Sequence, residues 1–152
     1  PFPDDVRWKV QDMPAVAQRG RRFAEEHGVQ TRLSFTSEFE DGDGSDVLFA
    51  SGALQYLPYS LEQLLGRLKS LPRRIIVNTT AIHPTRSFFT LNSIGTAFCP
   101  YRVQAHGQFV RETLRSGYTL RDHWQNPAKF MRIPFADGLD LDTYSGYCFD
   151  RT

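Results

Sequence analysis

The stretch that decides the fold is DVLFASGALQYLP, residues 46–58. Residues 47–50 are apolar without interruption, and Ser51 and Gly52 follow them directly. A continuous apolar run of this length is typical of a strand that is buried on both faces of a parallel sheet. The stretch therefore predicts a buried strand that ends in a turn.

Downstream of this strand, the pattern predicts a helix and then a second buried strand. Ser60 and Gln63 form the capping box S-x-x-Q, and the leucines at 61, 64, 65 and 68 recur at helical spacing. Pro72 ends this helix, and residues 75–77 form another fully apolar strand. Helix and strand thus alternate along this part of the chain.

The C-terminal half is expected to begin with a long ordered loop at residues 81–102, containing a short strand at residues 88–91. A third helix is expected at residues 107–116, with Gly117 just past its end. Its buried positions are predicted to be Phe109, Val110, Thr113 and Leu114. Two strands, at residues 118–124 and 144–150, complete the chain.

Upstream of the stretch, residues 6–11 alternate apolar and polar side chains, which is the period of a half-buried strand. An amphipathic helix follows at residues 15–26, with Pro14 in its first turn and Gly28 beyond its end. Its apolar face is predicted to contain Val16, Gly20, Phe23 and Ala24. Another strand at residues 31–35 precedes an acidic loop at 38–46.

This alternation predicts an α/β fold with a mostly parallel sheet and helices on both faces, in a single domain that covers residues 1–152. Ligands of such sheets bind outside the carboxyl ends of the strands. The candidate site residues are therefore Asp12, Ser37, Glu38, residues 51–56 and residues 78–80.

Composition excludes several classes of protein. Eighteen Lys and Arg against 17 Asp and Glu leave a formal charge of +1, so there is no overall basic field that would indicate nucleic acid or an anionic membrane as the partner. The apolar runs are far shorter than the ~20 residues that span a bilayer, and we expect a soluble, cytoplasmic protein. Cys99 and Cys148 form no metal or redox motif and are expected to be reduced packing residues.

Asp12 has two interpretations. It directly follows a predicted strand, where a carboxylate can accept hydrogen bonds from the diol of a ribose. It also directly precedes a predicted helix, where it can be an ordinary N-cap. Position alone does not choose between them.

Residues Ser51, Gly52 and Ala53 also have two interpretations. Gly52 lets a ligand approach the backbone closely, or the three residues form a plain turn. A serine hydrolase is disfavoured. Its nucleophile elbow requires the pattern G-x-S-x-G, whereas around Ser51 the two glycine positions are occupied by Phe49 and Ala53.

The four histidines are widely scattered and predict no metal site. His83 and His106 lie in loops where a general base can act, although surface or packing histidines are commoner. No glycine loop of the form G-x-G-x-x-G or G-x-x-x-x-G-K-[ST] occurs. No residue is therefore assigned as catalytic, and His83, Tyr56 and His106 are the candidates for a base.

The sequence resembles the class I S-adenosylmethionine-dependent methyltransferases, and in particular a group of bacterial methyltransferases. The resemblance rests on residues 46–58, on Asp12-Met13-Pro14 after the first strand, and on residues 117–118 and 144–149. It implies a Rossmann-like fold and S-adenosylmethionine as the cofactor. By position, Asp12 would bind the cofactor ribose and Met13 would lie beside the adenine, near Ser37 and Glu38. Ser51, Gly52 and Ala53 would lie near the methionine moiety.

The resemblance also implies a first strand and a glycine-rich loop that should precede Asp12 by about twenty residues, whereas only eleven residues precede it. Without that strand, the edges of two strands lack a partner, which is costly for backbone polar groups. We expect the chain to be the C-terminal major part of a methyltransferase domain, inactive by itself. The alternative is a non-catalytic module that self-associates as a homo-oligomer.

Overall fold

The computed structural model describes residues 5–152. They divide into two compact units. The N-terminal unit comprises the described residues up to Gly44 together with Leu68–Ser70, and the C-terminal unit comprises Ser45–Arg67 together with Leu71–Thr152.

The N-terminal unit contains two parallel strands joined by a helix. Strand β1 (Trp8–Gln11) pairs with β2 (Leu33–Thr36), and helix α1 (Pro14–Glu26) connects them. Pro14 begins the helix because it needs no N–H bond there, and Gly28 follows its end with a φ of 65°. The acidic loop contains a short 3-10 helix at Phe39–Gly42. The predicted order of strand, helix and strand is confirmed.

Helix α1 buries its small residues rather than its large ones. Ala17 and Ala24 are buried, while Val16 and Phe23 remain 45% and 51% exposed. A Cβ on Gly20 would overlap the ring of Phe35 on β2, so the helix and strand approach closely only because this residue is glycine. Of the four residues on the predicted apolar face, Val16 and Phe23 are therefore half exposed, whereas Ala24 is buried.

The C-terminal unit is built on a mixed four-stranded sheet of β3 (Val47–Ser51), β4 (Arg74–Thr80), β8 (Tyr118–Asn126) and β9 (Tyr144–Arg151). The order of the strands in the sheet is β3, β4, β9, β8. Strands β3 and β4 are parallel, whereas β9 is antiparallel to both β4 and β8. The expectations of a mostly parallel sheet and of helices on both faces are not confirmed.

Strand β3 lies at the edge of this sheet, which corrects the prediction that it is buried on both faces. It pairs with β4, and no other strand in residues 5–152 pairs with it. Val47 and Phe49, on one face, are 47% and 51% exposed. The continuous apolar run predicted the strand correctly, but burial depends on neighbours that the run itself does not specify.

Three helical segments accompany the sheet. A 3-10 helix at Leu54–Tyr56 follows β3, and the capping box of Ser60 and Gln63 then begins helix α2 (Leu61–Leu65). This helix ends at Gly66, before the predicted Leu68, because glycine is a poor helix former. Helix α3 (His106–Arg115) ends as predicted before Gly117, whose φ is 89°.

The predicted long loop is instead largely a second, three-stranded sheet. Strands β5 (Ile82–His83) and β6 (Phe88–Ser93) both pair with β7 (Phe98–Ala105), β5 in parallel and β6 antiparallel. Pro100 obscured β7 in the sequence, because proline rarely occurs inside a paired strand. Pro100 is tolerated because β5 pairs with β7 only at Gln104 and Ala105. The edge of β7 that faces β5 is therefore unpaired with β5 at Pro100, where proline has no N–H to donate.

Two groups of buried side chains hold the C-terminal unit together. The first lies against the four-stranded sheet and includes Ile75, Val77, Phe109, Tyr147 and Phe149. In helix α3, Phe109 and Thr113 are buried as predicted, but Leu114 is 43% exposed. The second group contains Ala81, Tyr101, Val103, Leu141 and Tyr144.

The two cysteines are free, as predicted, and each is half-buried. None of the helices within residues 5–152 is long and apolar enough to cross a bilayer.

Candidate functional site

Asp12 lies at the carboxyl end of β1, where its backbone N–H donates to the carbonyl of Thr36 over 3.1 Å. Its Oδ1 accepts from the backbone N–H of Met13 over 2.7 Å. Met13 itself is the N-cap of α1, so Asp12 lies one residue before the cap position. Its carboxylate is exposed, and Oδ2 makes no hydrogen bond to any described residue. This oxygen is available to a ligand.

Ser37 and Glu38 lie beside Asp12 at the same edge of the N-terminal unit. Gln11 and Thr36 are register partners at the ends of β1 and β2, so the next residues, Asp12 and Ser37, leave the two strands side by side. The Ser37 hydroxyl donates to Oε1 of Glu38 over 3.2 Å, and the Glu38 N–H donates to Oγ1 of Thr36 over 3.0 Å. Met13, which is 71% exposed, lies next to Asp12 and adds an apolar side chain to this otherwise polar edge.

The second predicted set, Ser51 to Ala53, lies in the C-terminal unit at the carboxyl end of β3. Gly52 has a φ of 65°, a conformation that favours glycine, and its N–H donates to the carbonyl of Asn78 over 2.9 Å. The Asn78 side chain donates through Nδ2 to the Ser51 hydroxyl over 3.4 Å. The structure thus brings this turn next to Asn78 at the end of β4.

Asn78 also connects this turn to the far strands of the sheet. Its Oδ1 accepts from Nε1 of Trp124 over 3.1 Å. The indole of Trp124 reaches Asn78 because Trp124 lies directly opposite Gly146 on β9. Any Cβ at position 146 would overlap the indole ring. The position of the tryptophan therefore depends on that glycine.

Gln55 and Thr79 form the most constrained part of this edge. Thr79 has a φ of 52°, which is unusual for a β-branched residue and marks stored backbone strain. Its carbonyl accepts from Nε2 of Gln55 over 3.2 Å. Gln55 is only 5% exposed, and its Oε1 is buried without a hydrogen-bond partner among the described residues. A buried oxygen without a partner is costly, so Gln55 and the strained Thr79 are both held here at an energetic cost.

Of the candidate bases, His83 is occupied by the backbone. Its Nδ1 accepts from the N–H groups of Thr85 and Arg86 over 3.1 and 3.0 Å, and its Nε2 donates to the carbonyl of Gly138 over 2.9 Å. Both ring nitrogens are used, so His83 anchors loops and has no lone pair left for catalysis.

Tyr56 accepts a hydrogen bond from Nδ2 of Asn92 over 3.0 Å and packs edge-on against Tyr101. Burial raises the pKa of the Tyr56 hydroxyl, which keeps it protonated and disfavours it as a base.

His106 differs from both, because it lines a cavity together with His123. Sequence reasoning missed His123 and Trp124. Both depend on the pairing of β8 with β9, which no local spacing reveals.

Solved methyltransferases have the same fold as this chain. Geranyl diphosphate methyltransferase in complex with S-adenosylmethionine matches 97% of this chain and 69% of its own, with a TM-score of 0.62 and 10% identity. The glycopeptide N-methyltransferase MtfA, complexed with S-adenosyl-L-homocysteine, matches 95% of this chain and 73% of its own, with a TM-score of 0.62 and 15% identity.

A third similar structure is the 1,6-didemethyltoxoflavin-N1-methyltransferase of Burkholderia thailandensis, with bound 1,6-didemethyltoxoflavin and S-adenosylhomocysteine. It matches 97% of this chain and 72% of its own, with a TM-score of 0.51 and 16% identity. No protein-family model and no curated protein matches the sequence. At these identities the likeness is one of architecture, and the chain has a class I S-adenosylmethionine-dependent methyltransferase-like α/β fold.

Proposed function

We propose that the chain is a methyltransferase that uses S-adenosylmethionine to methylate an acceptor not yet identified. The observation that carries the proposal is the fold, which this chain has in common with methyltransferases solved with S-adenosylmethionine or S-adenosylhomocysteine bound. When bound, this cofactor supplies a methyl group on a positively charged sulfur, and the protein contributes mainly proximity and orientation.

The residues of the chain fit such a cofactor. Asp12 has a free carboxylate oxygen that can accept from a ribose hydroxyl, and Met13 offers an exposed apolar side chain to a base. Ser37 and Glu38 offer a hydroxyl and a carboxylate at the same edge of the N-terminal unit.

In the C-terminal unit, we assign the methionine end of the cofactor to residues Ser51, Gly52 and Ala53. Gly52 leaves the backbone open to close approach. This supports a ligand that lies against the turn after β3.

Calorimetry with S-adenosylhomocysteine tests the proposal. It is carried out on this chain and on a version extended upstream, each with the substitution Asp12→Asn and with the matched control Asp5→Asn. We expect Asp12→Asn to weaken binding by about 10- to 100-fold, since a hydrogen bond to a charged group contributes roughly 1.5–3 kcal/mol. Asp5 is also exposed and is not assigned to the site, so Asp5→Asn should leave binding unchanged.

If neither version binds S-adenosylhomocysteine, the proposal is wrong. The chain is then better described as a non-catalytic interaction module. If both aspartate variants weaken binding equally, the assignment of Asp12 to the ribose fails.

A further inference from the structure

The C-terminal unit contains an open cavity of about 430 Å³, here called the histidine cavity. Separate segments of the chain form its walls: Ile82 on β5, His106 at the start of α3, His123 on β8, and the loop that carries Asp140 and Asp142. This volume lies in the range of small-molecule sites, roughly 300–1,000 Å³. Because distant segments converge on it, the cavity is a product of the tertiary fold.

One wall consists of two imidazoles supported by a buried phenol. Tyr147 is fully buried, and its hydroxyl lies 2.9 Å from Nδ1 of His106. The ring of His123 stacks on the Tyr147 ring with centroids 4.6 Å apart, and the two imidazole centroids are 5.3 Å apart. Burial raises the pKa of Tyr147 to about 12, so the phenol stays protonated and fixes the pair.

The ring nitrogens of His106 and His123 that do not contact the Tyr147 hydroxyl are available to a ligand. Nε2 of His106 and both ring nitrogens of His123 take part in no hydrogen bond with the described residues. Partial burial and the neighbouring His106 lower the pKa of His123. The neutral imidazole is therefore favoured near pH 7, and it offers a lone pair that accepts hydrogen bonds.

A second wall, formed by the loop at residues 140–143, carries carboxylates. Asp140 and Asp142 both line the cavity, and Arg132 pairs with Oδ1 of Asp142 over 2.9 Å and with Oδ2 of Asp140 over 3.8 Å. The positive charge of Arg132 offsets one of the two carboxylate charges, so a net charge of −1 remains on this wall. The lining residues include no Lys or Arg. The cavity is thus rich in acceptors and negative in balance.

We propose that the histidine cavity binds a small primary or secondary amine. Its N–H groups donate to the carboxylates of Asp140 and Asp142 and to the imidazoles, and its carbon skeleton lies against Ile82, Pro84 and Leu141. A carboxylate or phosphate ligand is disfavoured, because no lining cation would compensate its charge. The role of this amine as the methyl acceptor rests on the proposed function, whereas its binding does not.

Binding should weaken in acid. The charged or titratable groups that surround His123 are His106 on α3, Tyr147 on β9, Asp122 on its own strand, and Asp140 and Asp142 on the loop. In sufficiently acidic solution His123 gains a proton, which adds positive charge to the cavity and removes its acceptor lone pair. Both changes oppose a cationic ligand.

The test is an NMR titration of the full chain with benzylamine, in the absence of any nucleoside. We expect the ring signals of His106 and His123 to shift together, while those of His27 and His83 stay in place. Benzyl alcohol and benzoate, which have the same ring without the amine, should produce no such shift. Binding at pH 5.5 should be weaker than at pH 7.5.

Substitutions identify the wall that binds the amine. Asp142→Asn should weaken benzylamine binding by about fivefold or more, because it removes a charged acceptor from a side chain whose loss does not disturb the core. The matched control Asp137→Asn removes an equal charge from the same loop outside the cavity lining and should leave binding unchanged. His123→Phe keeps the stacking on Tyr147 but removes the lone pairs, and it should also weaken binding.

Equal binding of benzoate or benzyl alcohol, shifts spread over all four histidines, or no shift at all would overturn the proposal. Because no cofactor is added, these outcomes are independent of the S-adenosylhomocysteine measurement. An amine site can therefore stand if methyl transfer fails, and the reverse also holds.

Discussion

Asp150 on β9 accepts hydrogen bonds from two arginines. Arg74 binds it through two nitrogens, over 2.6 and 2.9 Å, and Nε of Arg121 lies 2.9 Å from its Oδ2. These hydrogen bonds hold the pKa of the Asp150 carboxyl well below its usual range. A carboxyl with a depressed pKa stabilises the fold only while it is ionised.

We therefore predict that Asp150→Asn lowers the melting temperature by a few degrees near pH 6, and that this difference shrinks as the pH falls below about 4. The sign follows from the lowered folded-state pKa: the contribution is complete above the unfolded value and disappears as the pH falls toward the folded value. Thermal unfolding from pH 3 to pH 7 measures it. Asp46→Asn, an exposed carboxylate without a described side-chain bond, is the control, and equal pH dependence of the two variants would contradict the prediction.

Gly146 is the residue that allows Trp124 to lie across β9. A Cβ at this position would overlap the indole ring, so Gly146→Ala must displace Trp124 and break its bond to Asn78. We predict a loss of about 1–3 kcal/mol in the free energy of unfolding, the usual cost of overpacking. The tryptophan emission should also change, measured in a Trp8→Phe background so that Trp124 is the only tryptophan.

A second substitution, Trp124→Leu, tests whether overlap with the indole ring causes the loss of stability in Gly146→Ala. If overlap with the indole causes the loss, Gly146→Ala should cost clearly less when Trp124 is already leucine. Equal costs in both backgrounds would show that the glycine acts through the backbone alone.

At the scale of elements, two helical glycines have opposite roles. Gly20 in α1 lies against the ring of Phe35, whereas the space beside Gly107 in α3 holds the flexible end of Arg111, 3.0 Å from an added Cβ. Alanine is the better helix former at both positions. The neighbours therefore decide the outcome.

We predict that Gly20→Ala destabilises α1 by about 1–2 kcal/mol, since overpacking outweighs the gain in helix propensity. Gly107→Ala should stabilise α3 by about 0.5 kcal/mol, because the arginine can move aside. Amide hydrogen exchange of each helix measures both effects. Slower exchange of α1 in Gly20→Ala would contradict the close approach to Phe35.

For β3, the strand itself was predicted correctly, but its burial was predicted incorrectly. Its apolar run predicted a strand, and the strand is present as Val47–Ser51. The same run predicted burial on both faces, yet Val47 and Phe49, which share one face, are half exposed. Strand propensity is local, whereas burial is set by what packs against the strand.

At the scale of the whole molecule, the two units differ in their cores. The described part of the N-terminal unit buries only Ala17, Ala24 and Thr36. The C-terminal unit buries large side chains, among them Tyr147, Phe109 and Phe149. Because burial of apolar surface provides most of the stability of a fold, local opening should be easier in the N-terminal unit.

We predict that backbone amides of β4 and β9 exchange with solvent about a hundredfold more slowly than those of β1 and α1, because only the former need extensive unfolding to open. Hydrogen exchange followed by mass spectrometry tests this on the unmodified chain. Uniform protection across β1, α1, β4 and β9 would show instead that the whole chain opens as one unit.

The candidate site was only partly predictable from the sequence. Asp12 and Ser51 are candidates because ligands of α/β sheets bind at the carboxyl ends of strands, a rule that needs only the order of the elements. The supporting contacts of Trp124 and His123 were not predicted, since they depend on the register between β8 and β9. The sheet of β5, β6 and β7 was missed for a similar reason, because Pro100 hides a strand whose pairing tolerates it.

Short-range sequence patterns specify the local features of this protein: the capping box at Ser60, the start of α1 at Pro14, the end of α3 before Gly117, and the strands β3 and β4. Each depends on interactions among residues a few positions apart, which a linear pattern records. Only the tertiary structure decided that β3 lies at an edge, that Asn78 receives Trp124, and that His106 and His123 meet on Tyr147. These contacts join residues far apart in the chain, and their geometry follows from strand register and packing.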